Sequence, residues 1–180
     1  MTTQSVTLSR NCDVIEIPSG ARGTLQAGTS VRIMQSLGSS YTVMTDYGQM
    51  YRVDAANADV LGISHAGPQA QTAAEGEFSE QLVKDQLKTV YDPEIPVNIL
   101  DLGLIYSCAV TPIDGGNKID IKMSMTAPGC GMGGVLKADV ESKLSRLPTV
   151  KEVNVEIVFE PHWHPGLMSE AARLQLGFDL

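Results

Sequence analysis

No Cys-x-x-Cys pair occurs in these 180 residues, and the three cysteines, Cys12, Cys108 and Cys130, lie far apart. That spacing disfavours a disulfide framework and a closed four-thiolate metal site within one chain. Basic tracts are absent too: 13 Lys+Arg stand against 21 Asp+Glu, a net charge of −8. Nothing here replaces the counterions of a nucleic acid or grips an anionic membrane surface, so neither is an expected partner. Apolar runs last only a few residues, far short of the ~20 that cross a bilayer. The first residues have no charged n-region or apolar h-region, so no signal peptide is expected and the protein is read as cytoplasmic. No Gly-Lys-Ser/Thr ending closes a glycine-rich stretch, which removes a phosphate loop.

Charge usage changes along the chain. Every lysine lies between Lys84 and Lys151, whereas residues 1–78 hold only Arg10, Arg22, Arg32 and Arg52 as cations. Between these regimes, residues 64–78 are small, polar and punctuated by Pro and Gly, the composition of a linker. The expected organisation is a strand-rich domain over 1–63, a linker over 64–78 and a second domain over 79–180. In the first, residues 6–17, 30–34, 41–45 and 50–53 are β-branched or aromatic and divided by glycine-bearing turns. They predict a small SH3-like β-barrel with Cys12 in its core.

The second segment alternates helix and strand. Ser79 caps a helix with Glu80 in its first turn, Lys84 and Lys88 later, and Leu82, Val83, Leu87 and Val90 as its stripe. Residues 102–111 and 118–125 predict a hairpin around 112–117. Its second strand sets Ile119, Ile121, Met123 and Met125 against Asp120, Lys122 and Ser124. Val135, Leu136, Val140, Leu144 and Leu147 mark a helix, residues 151–159 another strand, and Ser169 caps a last helix closing at Gly177. The expected fold class is α+β: a small all-β barrel domain, then a two-layer α+β domain of αββαβα order with a mixed sheet.

Chemistry concentrates in three stretches. Thr126-Ala-Pro-Gly129-Cys130-Gly131-Met-Gly-Gly134 joins a strand's carboxyl end to a helix's amino end, where open sheets place ligands. Unpaired N–H groups and the helix dipole are expected to lower a thiol there from ~8.5 toward roughly 3.5–7.5; the alternative is a glycine-rich turn with an incidental cysteine. Asp92-Pro-Glu94-Ile-Pro96 offers two carboxylates for a cation, a partner or acid–base work, or else Asp92 merely caps a helical turn. Pro161-His162-Trp163-His164-Pro165 sets two imidazoles on one side of an extended segment and the indole on the other, half of an iron or zinc site. Its alternative is a tryptophan packing a proline-rich tail. Asp101-Leu-Gly103-Leu104-Ile-Tyr106 reads as structural, with Leu104 and Tyr106 in the core and Cys108 buried and inert. His65, in the linker, carries no signal.

From Asp92-Pro-Glu-Ile-Pro, through Asp101-Leu-Gly-Leu-Ile-Tyr and Thr-Ala-Pro-Gly-Cys130-Gly-Met, to the Trp163 tail, the chain resembles the metal–sulfur cluster assembly domain of the SufT family. This MIP18-type domain also occurs in PaaD-like proteins and eukaryotic cytosolic iron–sulfur targeting factors. The likeness covers residues 79–177, and the strand-rich extension also looks like SufT. It implies an auxiliary factor in iron–sulfur cluster assembly and protein maturation, not an enzyme. The family's reactive cysteine falls on Cys130, within a loop of Thr126, Gly129 and Gly131, and its acidic turn on Asp92 and Glu94. Many relatives carry proline directly after that cysteine, where this chain has Gly131. A transient iron–sulfur cluster or iron, none of it tightly bound, is the implied cargo. The implied partners are the assembly machinery and apo iron–sulfur clients, with the protein a homodimer. His162 and His164 are outlying metal candidates. One thiolate cannot supply a cluster's usual four ligands, so a site shared across a dimer or with a client fits best. Two other classes compete: a thiol hydrolase or transferase using Cys130, His162 or His164 and a carboxylate, and a docking adaptor without metal.

Overall fold

A computed structural model describes residues 4–63 and 78–178, so most of the expected 64–78 linker, with His65, lies outside the described residues. The chain divides into two compact units: one of residues 1–71 with Pro93–Pro96, the other of 72–92 with 97–180.

The first unit holds six strands: β1 (Gln4–Thr7), β2 (Cys12–Ile17), β3 (Arg22–Leu25), β4 (Ser30–Leu37), β5 (Ser40–Thr45) and β6 (Met50–Asp54). They pair antiparallel in the order β1-β4-β5-β6-β2-β3. The single strand expected over 6–17 is two strands, interrupted where Leu8 turns into the core and exchanges backbone bonds with Gly28 and Thr29. β3 escaped the sequence pattern because Arg22-Gly-Thr-Leu25 is short and nearly all exposed. A 3-10 helix over Ala55–Leu61 was also unforeseen: Asp54 caps it and Gly62 ends it at φ 69°. Its Ala58, Val60 and Leu61 join Cys12, Val14, Val31, Tyr41 and Val43 in the core.

The second unit runs α1 (Glu80–Leu87), β7 (Ile105–Ile113), β8 (Gly116–Met123), α2 (Gly133–Leu144), β9 (Val150–Ile157) and α3 (Glu170–Leu176). Ser79 accepts from Leu82 N–H to cap α1, and Ser169 from Ala172 N–H to cap α3, which Gly177 closes in the left-handed region. The sheet is mixed: β7 and β8 are antiparallel, β8 and β9 parallel. The hairpin turn is tighter than expected, Asp114-Gly115, because pairing runs out to Ile113 and Gly116. Ile119, Ile121 and Met123 are fully buried on one face of β8, each contributing roughly 1.5–3 kcal/mol of apolar burial. Leu136, Val140 and Leu144 of α2 belong to the same core. On the opposite face, Lys118 sits 3.1 Å from Glu152 and 3.4 Å from Asp120, and Lys122 is 3.9 Å from Glu156. That face neutralises itself.

Candidate functional site

β8 and β9 are parallel neighbours, so their chains leave the sheet at the same end. From β8 the chain passes through Ser124, Met125 and Thr126 into the loop before α2. From β9 it passes through Phe159 into the Pro161-His-Trp segment. Between these exits lies a shallow cleft with a cavity volume of about 30 Å³. Met125, Pro128, Phe159 and Trp163 supply its apolar walls, and Ser124, Thr126 and His162 its polar groups. The carboxyl ends of parallel strands are where open sheets gather ligands.

Three backbone anchors fix the second wall. Trp163 Nε1 donates to the Leu102 carbonyl at 2.8 Å, Tyr106 Oη to the Pro161 carbonyl at 2.8 Å, and Ser169 N–H to the Asp101 carbonyl at 2.8 Å. Gly103 has φ 71°, and a Cβ there would collide with the Leu167 carbonyl. The Asp101–Tyr106 stretch is thus the receiver of the tail. Tyr106 is half-buried rather than in the core, its hydroxyl spent on this anchor.

The tail departs from the expected alternation. His162 and Trp163 line the same cleft, while His164 precedes a 3-10 turn over Pro165–Leu167 without a side-chain capping bond. The indole is drawn inward by Leu102 and the chain turns at Pro165, so extended geometry does not persist. His162 Nδ1 lies 3.1 Å from Glu160 Oε1, both exposed.

Cys130 is half-exposed in the β8–α2 loop, three residues before the first residue of α2 rather than at the helix start. Its N–H donates to the Ala127 carbonyl at 3.4 Å and its carbonyl accepts from Gly133 N–H at 3.3 Å. Gly129 adopts φ 78°, a conformation other residues rarely take. Met132 precedes α2 without a side-chain cap, and backbone carbonyls serve instead: Gly133 N–H donates to Cys130 and Val135 N–H to Met132. At Gly133, a Cβ would press within 3.2 Å of Ile157 Cδ1, so glycine lets the helix start close to β9.

The other thiols differ. Cys12 is buried, its thiol pushed up by that burial. Cys108 is exposed, contrary to the sequence expectation, because β7 lies at the edge of its sheet among the described residues. Partial desolvation, then the Glu80 carboxylate, still raises its thiol.

The acidic turn is not a helical turn. Tyr91 and Asn98 form an antiparallel bridge, Asp92 N–H donates to the Val97 carbonyl at 3.3 Å, and residues 93–97 bend between. Asp92 is 4% exposed whereas Glu94 is exposed, so the two carboxylates are not presented together. They also fall in different units, Asp92 in the second and Glu94 in the first. Among the described residues, no group of three or more His, Cys, Asp or Glu is gathered that could hold a metal ion.

Ser124, Met125 and Phe159 had not been singled out as site residues. Strict alternation placed Ser124 outward, yet it is 1% exposed and among the residues lining the cleft. The available signal was the pair of parallel strand exits.

The family model described as "Iron-sulfur cluster assembly protein" matches residues 80–157. An Fe-S protein maturation auxiliary factor of Porphyromonas gingivalis is 41% identical over 100 residues, 56% of this chain and 92% of that protein. The Fe-S protein maturation auxiliary factor SufT of Staphylococcus aureus is 34% identical over 88 residues, 49% of this chain and 97% of its own. The chain belongs to the SufT family of Fe–S protein maturation auxiliary factors. An iron-sulfur cluster carrier protein of Deinococcus radiodurans is also similar, 33% identical over 70 residues, 39% of this chain and 19% of that protein. SufT relatives matched almost end to end by about half of this chain leave its strand-rich first unit without a counterpart in them. The expected likeness of that extension to SufT is not seen there. No helix among the described residues is long and apolar enough to cross a membrane.

Proposed function

We propose that this protein is a maturation factor that carries iron or an iron–sulfur cluster transiently, with Cys130 as its thiolate ligand. The observation that carries the reading is the half-exposed Cys130 in a glycine-bounded loop at the sheet's ligand end, within a chain of the SufT family. Thr126, Gly129 and Gly131 shape the loop, and Asp92 and Glu94 serve the acidic turn. One thiolate leaves most of a cluster's usual four ligands to be found elsewhere. A second copy of the chain, or the client, completes the set, and the protein works as a cytoplasmic homodimer without resident cofactor or catalysis of its own. Hand-over is ligand exchange: a client thiolate replaces Cys130 at iron, and no electron need change hands. Few ligands and an open loop favour release. The first unit, read as an SH3-like barrel, docks the assembly machinery or clients.

Anaerobic incubation with ferrous iron and sulfide tests this. Substoichiometric, Cys130-dependent cluster absorbance that passes to an apo-ferredoxin supports the carrier. Equal loading of wild type and Cys130→Ser refutes it.

A further inference from the structure

Thr42 and Arg52 face away from the core of the first unit and are nevertheless buried, at 5% and 6% exposure. They are cross-strand partners on β5 and β6. Their neighbours Tyr41, Val43 and Val53 alternate with them and fill the core. A row crosses that outer face from Ile15 through Arg52 and Thr42 to Gln35, and Arg52 is its only charge. The outer face of an antiparallel sheet is commonly solvated. Here residues 93–96 belong to the same compact unit, and Pro93 is buried. Thr42 Oγ1 donates to the Pro93 carbonyl at 3.0 Å across 51 positions of sequence. A guanidinium as buried as Arg52 is retained only where acceptors or an anion meet it. The carboxylate that this segment brings to the unit is Glu94.

We propose that the outer face of β5 and β6 is a recognition site for a proline-framed acidic turn, filled in cis by Pro93–Pro96. The first unit then acts as an internal partner that withholds the turn, and a protein reaching for it must first draw it off Thr42. Tethering holds a segment near its site at about millimolar effective concentration, so weak contacts keep the turn seated yet releasable. The proposal goes beyond iron–sulfur carriage and involves no thiolate.

The test is digestion of the folded full chain with glutamyl endopeptidase, following cleavage after Glu94 and, as an internal reference, after Glu16 of β2. Wild type is expected to be cut slowly at Glu94. Thr42→Val keeps the branched shape and removes the hydroxyl; it is expected to speed that cut about three- to tenfold and leave Glu16 unchanged. Arg52→Met, which keeps the stem and removes the charge, is expected to act in the same direction. A free peptide of residues 91–97 provides a second reading by NMR. It should move amide signals of residues 40–44 and 50–54 only in a full-chain variant whose residues 93–96 are replaced by Gly-Ser-Gly-Ser. An unchanged Glu94 rate in both substitutions, a parallel rise at Glu16, or peptide binding equal in wild type and the replaced variant would overturn the proposal. Cys130→Ser is expected to match wild type in both measurements, so the carrier reading and this one fail separately.

Discussion

Trp163 and Leu102, sixty-one positions apart, are joined by an indole-to-carbonyl hydrogen bond of 2.8 Å. With the Tyr106–Pro161 and Ser169–Asp101 bonds it fastens the post-β9 segment onto the turn that precedes β7. The consequence is positional. The fastened segment forms one wall of a cleft whose other wall is the strand exit leading to Cys130. Two motifs that read separately in the sequence are one device.

Gly103 is where that device is most easily broken. Alanine there would occupy a left-handed conformation, costing roughly 1–3 kcal/mol, and its Cβ would drive into the Leu167 backbone. Gly103→Ala is expected to lower the melting temperature and shift emission of Trp163, the chain's one tryptophan, toward the red as the tail lifts. An unchanged melting temperature with unchanged emission would contradict the anchoring role.

The helices and β8 were legible because amphipathic period and caps act locally: Ser79, Ser169 and Gly177 each do what their chemistry predicts. The loop of Cys130 was legible because glycine clusters mark backbone approach. What failed was long-range. Cys108 was expected to be buried on its strand, but pairing places that strand at the edge of the sheet, which the strand's own sequence does not reveal. Ser124 was expected outside because it alternates with methionines, but the tail folding over β8's exit buries it. Asp92 caps no helical turn, since the bridge between Tyr91 and Asn98 closes its segment instead.

The three thiols are expected to alkylate in the order Cys130, Cys108, Cys12. Cys130 is half-exposed on a loop; Cys108 is exposed but its raised thiol is mostly protonated near neutral pH; Cys12 is raised and buried. Iodoacetamide labelling with peptide mapping reads this directly. Cys108 labelling should climb as pH passes above the ordinary thiol range, and Cys108 reacting fastest at neutral pH would refute the order.

Cys12 gives stability a pH dependence of predictable sign. Its folded thiol is raised by burial, so the native state keeps the proton after the unfolded chain has lost it near ~8.5. Stability is then full below that value and declines as pH rises from it toward the folded value. Urea unfolding of the first unit at increasing alkaline pH should show the decline, and Cys12→Ala should flatten it relative to its own neutral-pH stability. A wild-type curve no steeper than the variant's would remove Cys12 as the cause.

Cys130→Ser is expected to abolish support of iron–sulfur enzymes while leaving the fold nearly unchanged. Serine keeps the size and a hydrogen-bonding group, but its hydroxyl is a poor iron ligand and far less acidic than a thiol. The side chain sits half-exposed outside the core, so removing its sulfur should change stability by no more than about 1 kcal/mol. The informative comparison is Cys12→Ser, which places a hydroxyl in the first unit's core and should cost about 1–3 kcal/mol. Cys108→Ser, at an exposed edge position, should be neutral in both respects. Cells lacking the native protein, complemented with each variant, separate the outcomes when activity of an iron–sulfur enzyme is measured against its polypeptide level. A Cys12→Ser strain should lose activity only in proportion to folded protein, whereas Cys130→Ser should lose it at normal abundance. Full activity in Cys130→Ser would mean the loop serves docking alone and the thiolate carries no iron.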